Sequence, residues 1–255
     1  MDRSEILREL GLLPVWRLRA RAAASRPSAI VEEPAVESAV AAPALPDRLQ
    51  RIATLEWRDF AADVSACTAC ALCRTRNKAV PGVGDVHAQW LFVGEAPGAE
   101  EDARGEPFVG QAGRLLDNML AALGMRRGEN VYIANVLKCR PPGNRTPEPS
   151  EAESCRPYLD RQIELLRPAI IVALGKSAAT NLLNVDATIA SLRGRVHRYR
   201  GVPLIVTYHP AYLLRNLPDK AKAWEDLLLA RATMRRLHDA GGEGAALQIP
   251  SPDPN

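Results

Sequence analysis

Short, almost continuously apolar runs alternate along the chain with longer stretches in which apolar side chains recur at helical spacing. The apolar runs cover residues 89–93, 131–136, 170–174 and 204–208. The helical patterns cover residues 112–123, 148–166, 176–183 and 219–237. A run that is apolar at every position is typical of a strand buried on both faces in a parallel sheet. The alternation predicts an α/β fold, namely a three-layer αβα sandwich with a central, mostly parallel four-stranded sheet.

Polar residues and glycine stand where these predicted strands end. Gly94 and Glu95 follow the first strand, Asn135 lies near the end of the second, and His209 follows the last. In an open α/β sheet, ligands bind in the crevice at the carboxyl ends of the strands. We therefore expect these four residues to lie in one ligand-binding site.

Composition divides the chain into four parts. Residues 1–21 hold enough apolar side chains for a short amphipathic segment that could dock on a partner. Residues 22–50 are rich in Ala and Pro, and we predict a disordered linker because they cannot bury enough surface to offset the entropy of ordering. Residues 51–240 form the main domain, and residues 241–255 form a flexible tail. No apolar stretch approaches the roughly 20 residues that span a bilayer, so we predict no membrane partner.

The distribution of charge gives a hint about the partner. The formal net charge is +3. The first 50 residues contain seven Arg and seven Asp or Glu, so the whole positive excess lies in the rest of the chain. A basic excess in the main domain favours a polyanion as partner.

Five cysteines occur in a chain without a recognisable secretory signal, which favours metal binding in a reducing cytoplasm over disulfides. Cys67 and Cys70 form a C-x-x-C pair, and Cys139 and Cys155 could complete a shell of four thiolates. Such a shell suits either tetrahedral zinc or an iron–sulfur cluster, and the spacing does not separate the two. Alternatively, Cys139 and Cys155 are small buried side chains without a metal. Cys73 is a spare thiol or a competing ligand.

Four motifs accompany these cysteines. They are Gly94-Glu-Ala-Pro-Gly-Ala-Glu-Glu-Asp102, Gly105-Glu-Pro-Phe-Val-Gly-Gln-Ala-Gly113, Asn135-Val-Leu-Lys-Cys-Arg-Pro-Pro-Gly-Asn-Arg145 and His209-Pro-Ala211. Together they closely resemble the family 4 uracil-DNA glycosylases, the iron–sulfur members of the uracil glycosylase superfamily. The match runs from Cys67 to about Leu237. The resemblance implies a 4Fe-4S cluster, with Cys73 outside the ligand set. The implied ligands are Cys67, Cys70, Cys139 and Cys155.

The resemblance also implies an activity. A family 4 enzyme flips uracil out of DNA and hydrolyses the N-glycosidic bond, which leaves an abasic site and starts base-excision repair. Where the best-known branch of the superfamily has an aspartate that orients water, this chain has Ala96. Two alternatives therefore stay open: a non-catalytic module that binds uracil or damaged DNA, and a glycosylase for another deaminated base.

The resemblance and the chemistry of the reaction assign roles to the site residues. A backbone N–H at Gly94 meets a uracil oxygen, the Asn135 amide matches uracil N3–H and O4, and the Phe108 ring stacks on the flipped base. His209 belongs to the His-Pro motif and is the expected donor to uracil O2, on which negative charge develops. Glu95 is the first choice for orienting the attacking water. Glu101 is the alternative, or it shapes the pocket against the methyl group of thymine.

DNA holding is expected to come from phosphate contacts and from a wedge. The candidate phosphate contacts are Lys138, Arg140, Arg145 and Arg215. The segment after His209, and Leu213 and Leu214 in particular, is expected to fill the space that the flipped base leaves.

The N-terminal segment carries a separate hypothesis. The stretch Leu10-Gly-Leu-Leu-Pro-Val-Trp-Arg-Leu-Arg19 looks like the N-terminal peptide of the small psi subunit of the bacterial clamp loader. This resemblance implies a contact with the replisome, while the linker keeps the enzyme close to DNA at high effective concentration. We expect a monomeric, bacterial, cytoplasmic protein associated with the nucleoid, whose main partner is DNA containing uracil.

Overall fold

A six-stranded mixed sheet lies at the centre of the part of the chain that the structure, a computed structural model, describes: residues 45–243. The strands are β1 (Val83–Gly84), β2 (Trp90–Gly94), β3 (Val131–Asn135), β4 (Ile170–Leu174), β5 (Val196–Tyr199) and β6 (Val202–Thr207). Their order across the sheet is β1-β3-β2-β4-β6-β5. The four central strands are parallel to one another, and the two edge strands are antiparallel to their neighbours.

The predicted fold class is confirmed, but the sheet has six strands and not four. The four predicted strands are the central ones, with ends that differ from the prediction by at most two residues. Strand β1 has two residues, too few for a hydrophobic run. Strand β5 is a partly exposed edge strand whose residues include His197 and Arg198, so it lacks the continuous apolar pattern. Short or charged edge strands of this kind protect a sheet from pairing with other chains.

Nine α-helices surround the sheet within residues 45–243. They are α1 (Leu45–Thr54), α2 (Trp57–Ala66), α3 (Ala99–Arg104), α4 (Gln111–Ala122), α5 (Pro149–Leu166), α6 (Lys176–Leu183), α7 (Ile189–Leu192), α8 (Pro210–Leu213) and α9 (Asp219–Glu243). The four predicted helices correspond to α4, α5, α6 and α9. None of the described helices is long and apolar enough to cross a membrane.

The helices form the two outer layers of the sandwich. On one face of β2, Leu91 and Val93 pack in a core with buried residues of α5, α6 and α7. On the other face, Trp90 and Phe92 pack with buried residues of α4 and α9. Alternate side chains of β2 thus pack in two different cores, one on each face of the sheet, which is why β2 is apolar at every position.

Helix α1 changes the predicted boundary between linker and domain. The linker was predicted to extend to residue 50, whereas α1 begins at Leu45 and carries Ile52, which is 1% exposed. Ile52 packs with Phe60 of α2 and Tyr158 of α5. The end of the predicted linker is therefore part of the domain, because α1 supplies apolar surface to it. The predicted N-terminal segment, most of the linker and the last part of the tail lie outside the described residues.

Candidate active site

The ends of β2 and β3 form the floor of a narrow slot. Gly94 and Asn135 end these neighbouring parallel strands and are Cα partners in the register. A Cβ atom built on Gly94 would lie 2.4 Å from Oδ1 of Asn135 and 2.6 Å from Cζ of Phe108. Real Cβ atoms do not approach other atoms so closely, so only glycine leaves the gap between the amide and the ring open.

The side chain of Asn135 presents an unsatisfied acceptor to this slot. Asn135 is 2% exposed, and its Oδ1 has no hydrogen-bond partner among residues 45–243. Buried polar atoms in folded proteins are nearly always paired, so an unpaired one needs a reason. The approach of Oδ1 to the Gly94 position indicates that it serves a ligand that enters the slot.

Phe108 is held in a conformation that side chains rarely adopt. Its φ is 55°, in the left-handed region. Arg127 fixes the backbone there, because its guanidinium donates to the carbonyl oxygens of Pro107 and Phe108, each over 2.8 Å. The carbonyl of Phe108 also lies so close to Gly113 that a Cβ at Gly113 would be 1.8 Å from it. Strain that is fixed by several neighbours is typical of functional sites.

Glu101 connects the two loops that line the slot. Its carboxylate accepts hydrogen bonds from the backbone N–H groups of Gly98 (3.1 Å), Val109 (2.9 Å) and Gly110 (3.1 Å). The first donor lies in the loop after β2, and the other two follow Phe108. Because both of its carboxylate oxygens accept hydrogen bonds from the backbone, Glu101 is better suited to shape the pocket than to activate a water.

His209 stands opposite Phe108 as the first residue before helix α8. The two rings stack with centroids 5.5 Å apart. Nδ1 of His209 accepts a hydrogen bond from the backbone N–H of Ala211 over 3.1 Å, so the proton of the neutral ring lies on Nε2. Burial, with a smaller effect from the charge of Arg215, lowers the pKa of His209 to about 4. The ring is therefore a neutral N–H donor near pH 7.

Glu95 lies between two cavities. One, of about 650 Å³, contains the slot and is lined by Asn135 and Phe108; the other, of about 760 Å³, lies against the start of α6. Glu95 and His209 line both cavities. Burial raises the pKa of Glu95, and a hydrogen bond with Ser177 at the start of α6 partly offsets this. Among the predicted carboxylates, Glu95 is the one whose surroundings suit a base.

The structure corrects the prediction that Lys138 contacts DNA. Lys138 is 1% exposed, and its Nζ donates to the carbonyl of Asn135 over 2.8 Å and to Oε1 of Gln162. Burial lowers its pKa to about 8, an effect that the charges of Cys155 and Cys139 oppose. The side chain points into the protein because the segment after β3 directs Lys138 toward α5, where Gln162 lies.

Leu213 is also placed wrongly by the prediction. It is 1% exposed and packs with Tyr208 and Ala223, so it cannot enter DNA in this conformation. The next residue, Leu214, is 39% exposed and is the leucine available as a wedge. Leu217, which sequence reasoning missed, is 61% exposed on the same segment.

Of the remaining basic candidates, Arg145 and Arg215 are exposed near the slot, whereas Arg140 is half-buried. Arg215 is exposed, and together with Arg145 it lines the 650 Å³ cavity. Arg140 donates to Oδ1 of Asn144 over 2.6 Å. Arg145 is 39% exposed and forms an ion pair with Glu151 at 2.6 Å. This ion pair partly neutralises Arg145, so Arg215 is the better placed candidate for a phosphate contact.

All five cysteines line one small cavity behind the slot. Cys67 follows α2, Cys139 follows β3 and Cys155 lies in α5, so the fold brings together residues that are far apart in sequence. Within the described residues, no group of three or more Cys, His, Asp or Glu side chains is arranged to hold a single metal ion. A cubane cluster is larger than one ion, so its ligands stand farther apart. Cys73 lines the same cavity as the four expected ligands.

Hydrogen-bond donors surround the cysteine sulfurs. Arg76 donates to Sγ of Cys139 over 2.9 Å, and the backbone N–H of Lys138 donates to Sγ of Cys155 over 3.2 Å. Burial raises the pKa of Cys155 to about 12. A thiol in this position becomes a thiolate only with a strong positive charge beside it, such as a bound metal. The donor set therefore fits a thiolate-ligated cluster.

The sequence pattern described as "Uracil DNA glycosylase superfamily" matches residues 81–228, more than half of the chain. The chain belongs to this superfamily. The match begins before β1 and ends within α9, so it includes every strand of the sheet and the loops that line the slot.

Individual members of the uracil DNA glycosylase superfamily are similar over most of their length. The chain is 49% identical to the type-4 uracil-DNA glycosylase of Archaeoglobus fulgidus, over 61% of this chain and 82% of that protein. It is 44% identical to the type-4 uracil-DNA glycosylase of Thermotoga maritima, over 68% of this chain and 92% of the relative. With the type-5 uracil-DNA glycosylase of Pyrobaculum aerophilum the identity is 34%, over 55% and 69% respectively.

Sequence reasoning missed three residues that shape this superfamily site. Arg127 fixes the backbone at Phe108 from 19 positions away, and Ser177 lines the cavity beside α6 together with Glu95. Gly113 allows the close approach of the Phe108 carbonyl. Of these, only Gly113 lay within a quoted motif, and nothing in its type indicated which atom it accommodates.

Proposed function

We propose that this protein is a uracil-DNA glycosylase that flips uracil out of DNA and hydrolyses its N-glycosidic bond. The observation that carries the proposal is the unsatisfied Oδ1 of Asn135 in the slot floored by Gly94. Uracil offers N3–H as a donor and O4 as an acceptor, which the oxygen and the NH₂ group of Asn135 complement. Cytosine presents the opposite pattern at these positions, so it does not match the amide in this orientation.

The slot also accounts for binding of the flipped ring. The base stacks on the face of Phe108, a contact worth roughly 1–3 kcal/mol for a base on an aromatic side chain. Arg127 and Glu101 hold the backbone on either side of Phe108, so the ring is in place before the base arrives. This prior order lowers the entropy lost on binding.

His209 stabilises the departing base. As the glycosidic bond breaks, the sugar becomes oxocarbenium-like and negative charge develops on uracil O2. Nε2–H of His209 is the donor for that oxygen, since Nδ1 is already engaged by the N–H of Ala211. A neutral donor in a site shielded from water acts most strongly on the transition state, where the charge is largest.

Glu95 orients the water that attacks the sugar. The carboxylate lines both the slot cavity and the cavity beside α6, so a water between it and the sugar can reach C1′ from the side away from the base. In this role Glu95 takes over the function that Ala96 cannot perform. Ser177 lines the cavity beside α6 together with Glu95.

DNA is held by the surface around the slot. Arg215, Arg140 and Arg145 contact phosphates, and Leu214 fills the gap left by the flipped nucleotide. An apolar side chain in the vacated stack offsets part of the unstacking energy. Residues 10–19 remain a proposed contact for the clamp loader, and we propose a monomer that works in the bacterial cytoplasm close to the nucleoid.

The cofactor that we propose is a 4Fe-4S cluster. Its ligands are Cys67, Cys70, Cys139 and Cys155. When bound, the cluster supplies a covalent link between α2, the segment after β3 and α5. A backbone hydrogen bond joins the segment after β3 to the loop after β2, which carries Glu95. In it, the N–H of Leu137 donates to the carbonyl of Glu95 over 3.0 Å. A cluster bound to these cysteines would therefore restrain the segment that directly follows Asn135.

The activity is tested with a labelled oligonucleotide that contains one deoxyuridine. The anaerobically purified protein is incubated with it, and alkali then cleaves abasic sites. We expect cleavage at the deoxyuridine and none in matched oligonucleotides with thymidine or deoxycytidine at that position. Intact DNA in a retained, shifted complex would refute the enzyme and favour a binding module.

Replacement of Glu95 by Gln is expected to lower the single-turnover rate by about 100-fold, the usual order for loss of a general base. A base acts in its ionised form, and the pKa of Glu95 is raised. The wild-type rate should therefore fall as the pH falls through a value above the ordinary glutamate range, and E95Q should lack this fall. E106Q, at an exposed position, is the control. A wild-type rate and pH profile in E95Q would contradict the role.

A further inference from the structure

Arg76 links a cysteine sulfur to the end of helix α2. Its Nη1 lies 2.9 Å from Sγ of Cys139, and its Nη2 donates to the carbonyl of Ser65. The guanidinium is thus held at one end by the backbone and points its other N–H group at the sulfur. Arg76 forms no ion pair with Asp or Glu among the described side chains.

Arg48 approaches the same group of cysteines from helix α1. It is 8% exposed, and its Nη2 donates to the carbonyl of Ser154 over 2.8 Å and lies 3.8 Å from Sγ of Cys67. Its guanidinium carbon stands over the ring of Tyr158 at 5.3 Å. Within the described residues, Arg48 also lacks a carboxylate partner, although buried arginines are normally paired.

The buried ammonium of Lys138 is a third cation without a carboxylate within the described region. Three cationic side chains thus lie beside the cysteines: Arg76 and Lys138 line their cavity, and Arg48 approaches the sulfur of Cys67. A cluster with four thiolate ligands carries negative charge that would offset most of theirs, whereas four neutral thiols would leave these cations uncompensated.

We infer that Arg76, with Arg48 as a second donor, is a positioning residue for the iron–sulfur cluster. Arg76 holds a ligand sulfur by a charged N–H···S contact, and this contact raises the reduction potential of the cluster. The inference rests on the proposed function. A donated hydrogen bond and a nearby positive charge stabilise the more negative, reduced state of a cluster. The same contact orients the Cys139 sulfur as a ligand.

The test compares R76Q with R74Q. Arg74 is exposed two positions away and its side chain makes no hydrogen bond or ion pair in the described region, so R74Q changes the net charge equally without removing a contact to sulfur. The readouts are the rate of iron release to a ferrous chelator under anaerobic conditions and the midpoint potential by film voltammetry. For R76Q we expect about 10-fold faster iron release, the usual scale for loss of a ligand's partner, and a more negative potential. R74Q should match the wild type.

Two further variants keep the test decisive if R76Q folds poorly. R76K retains the charge but not the planar fork, so its potential should lie between those of R76Q and the wild type. R48Q should shift the potential in the same direction as R76Q, by a smaller amount, because its contact with sulfur is longer. Iron release and potentials equal to those of R74Q in all three variants would overturn the inference.

Metal analysis and activity assays on the same samples distinguish a failure of this inference from a failure of the proposed cluster or of the proposed glycosylase activity. Wild-type protein that contains zinc, or no metal, refutes the cluster and the inference with it. Wild-type protein that contains the cluster but leaves deoxyuridine intact refutes the glycosylase, while the voltammetry still decides on Arg76. A wild-type enzyme with cluster and activity, together with an unchanged R76Q, refutes the inference alone.

Discussion

Replacement of His209 by Ala is expected to lower the single-turnover rate of uracil release by about 100- to 1,000-fold, the scale for loss of one donor to a developing oxyanion. Affinity for an oligonucleotide with a non-cleavable deoxyuridine analogue should change only a few-fold, because the charge on O2 is small before the bond breaks. The rate is measured with enzyme in excess, and the affinity by anisotropy.

H87A is the control for this prediction, since His87 is exposed and its side chain makes no described contact. The role of His209 would be contradicted if H209A lost affinity and rate equally, because the residue would then serve binding in general.

A pH measurement checks the protonation state of His209 independently. Its pKa is lowered from the usual 6.5 to about 4 in the folded protein, so between these values the unfolded state binds the extra proton. Stability from this group is present above pH 6.5 and is lost as the pH falls toward 4. Urea unfolding should therefore show a smaller loss of stability between pH 7 and pH 5 in H209A than in the wild type. Equal losses would indicate a histidine with an ordinary pKa.

The central strands and the helices between them could be predicted because their burial produces local patterns of apolar residues in the sequence. Each of the four parallel strands is buried on both faces and is therefore apolar throughout, as Ile170–Leu174 illustrates. Edge strands carry no such pattern: Val83–Gly84 pairs through two residues only, and Val196–Tyr199 is partly exposed. Helix Leu45–Thr54 was missed because its apolar residues follow directly on an Ala- and Pro-rich stretch.

Site residues could be predicted where their position in a motif at a strand end decides their location. They could not be predicted where the orientation of the side chain depends on residues far away in the sequence. Asn135, Phe108 and His209 lie together as expected. Lys138, in contrast, follows Asn135 in a segment rich in basic residues, and its inward direction depends on Gln162, 24 positions away. Leu213 and Leu214 are adjacent and identical in type, and only the packing of α8 decides which one is exposed.

Lys138 also explains how the cysteine cavity and the slot depend on each other. Its Nζ donates to the carbonyl of Asn135, while its backbone N–H donates to Sγ of Cys155. One residue thus contacts both Asn135, the proposed uracil-binding residue, and a proposed cluster ligand. A change at the cysteines is therefore expected to reach the slot through this short segment, without any movement of the sheet.

Replacement of Asn135 by Ala is expected to separate recognition from stability. In most buried positions, removal of a polar side chain breaks hydrogen bonds and destabilises the fold. Oδ1 of Asn135 has no partner in the described structure, so N135A removes an unpaired acceptor and should not lower the melting temperature. The value of kcat/KM for uracil DNA should nevertheless fall by roughly 100-fold or more, because the slot then leaves the edge of the base unpaired.

The matched control is N118A, which removes the same side chain from an exposed position of α4. Melting temperatures and excision rates are measured for both variants and for the wild type, together with the ratio of uracil to cytosine excision. N118A should match the wild type in all three. In N135A the ratio should fall at an unchanged melting temperature, since the amide is the group that distinguishes the two bases. A lower melting temperature with an unchanged ratio would show that Asn135 serves the fold and that uracil is read by another residue.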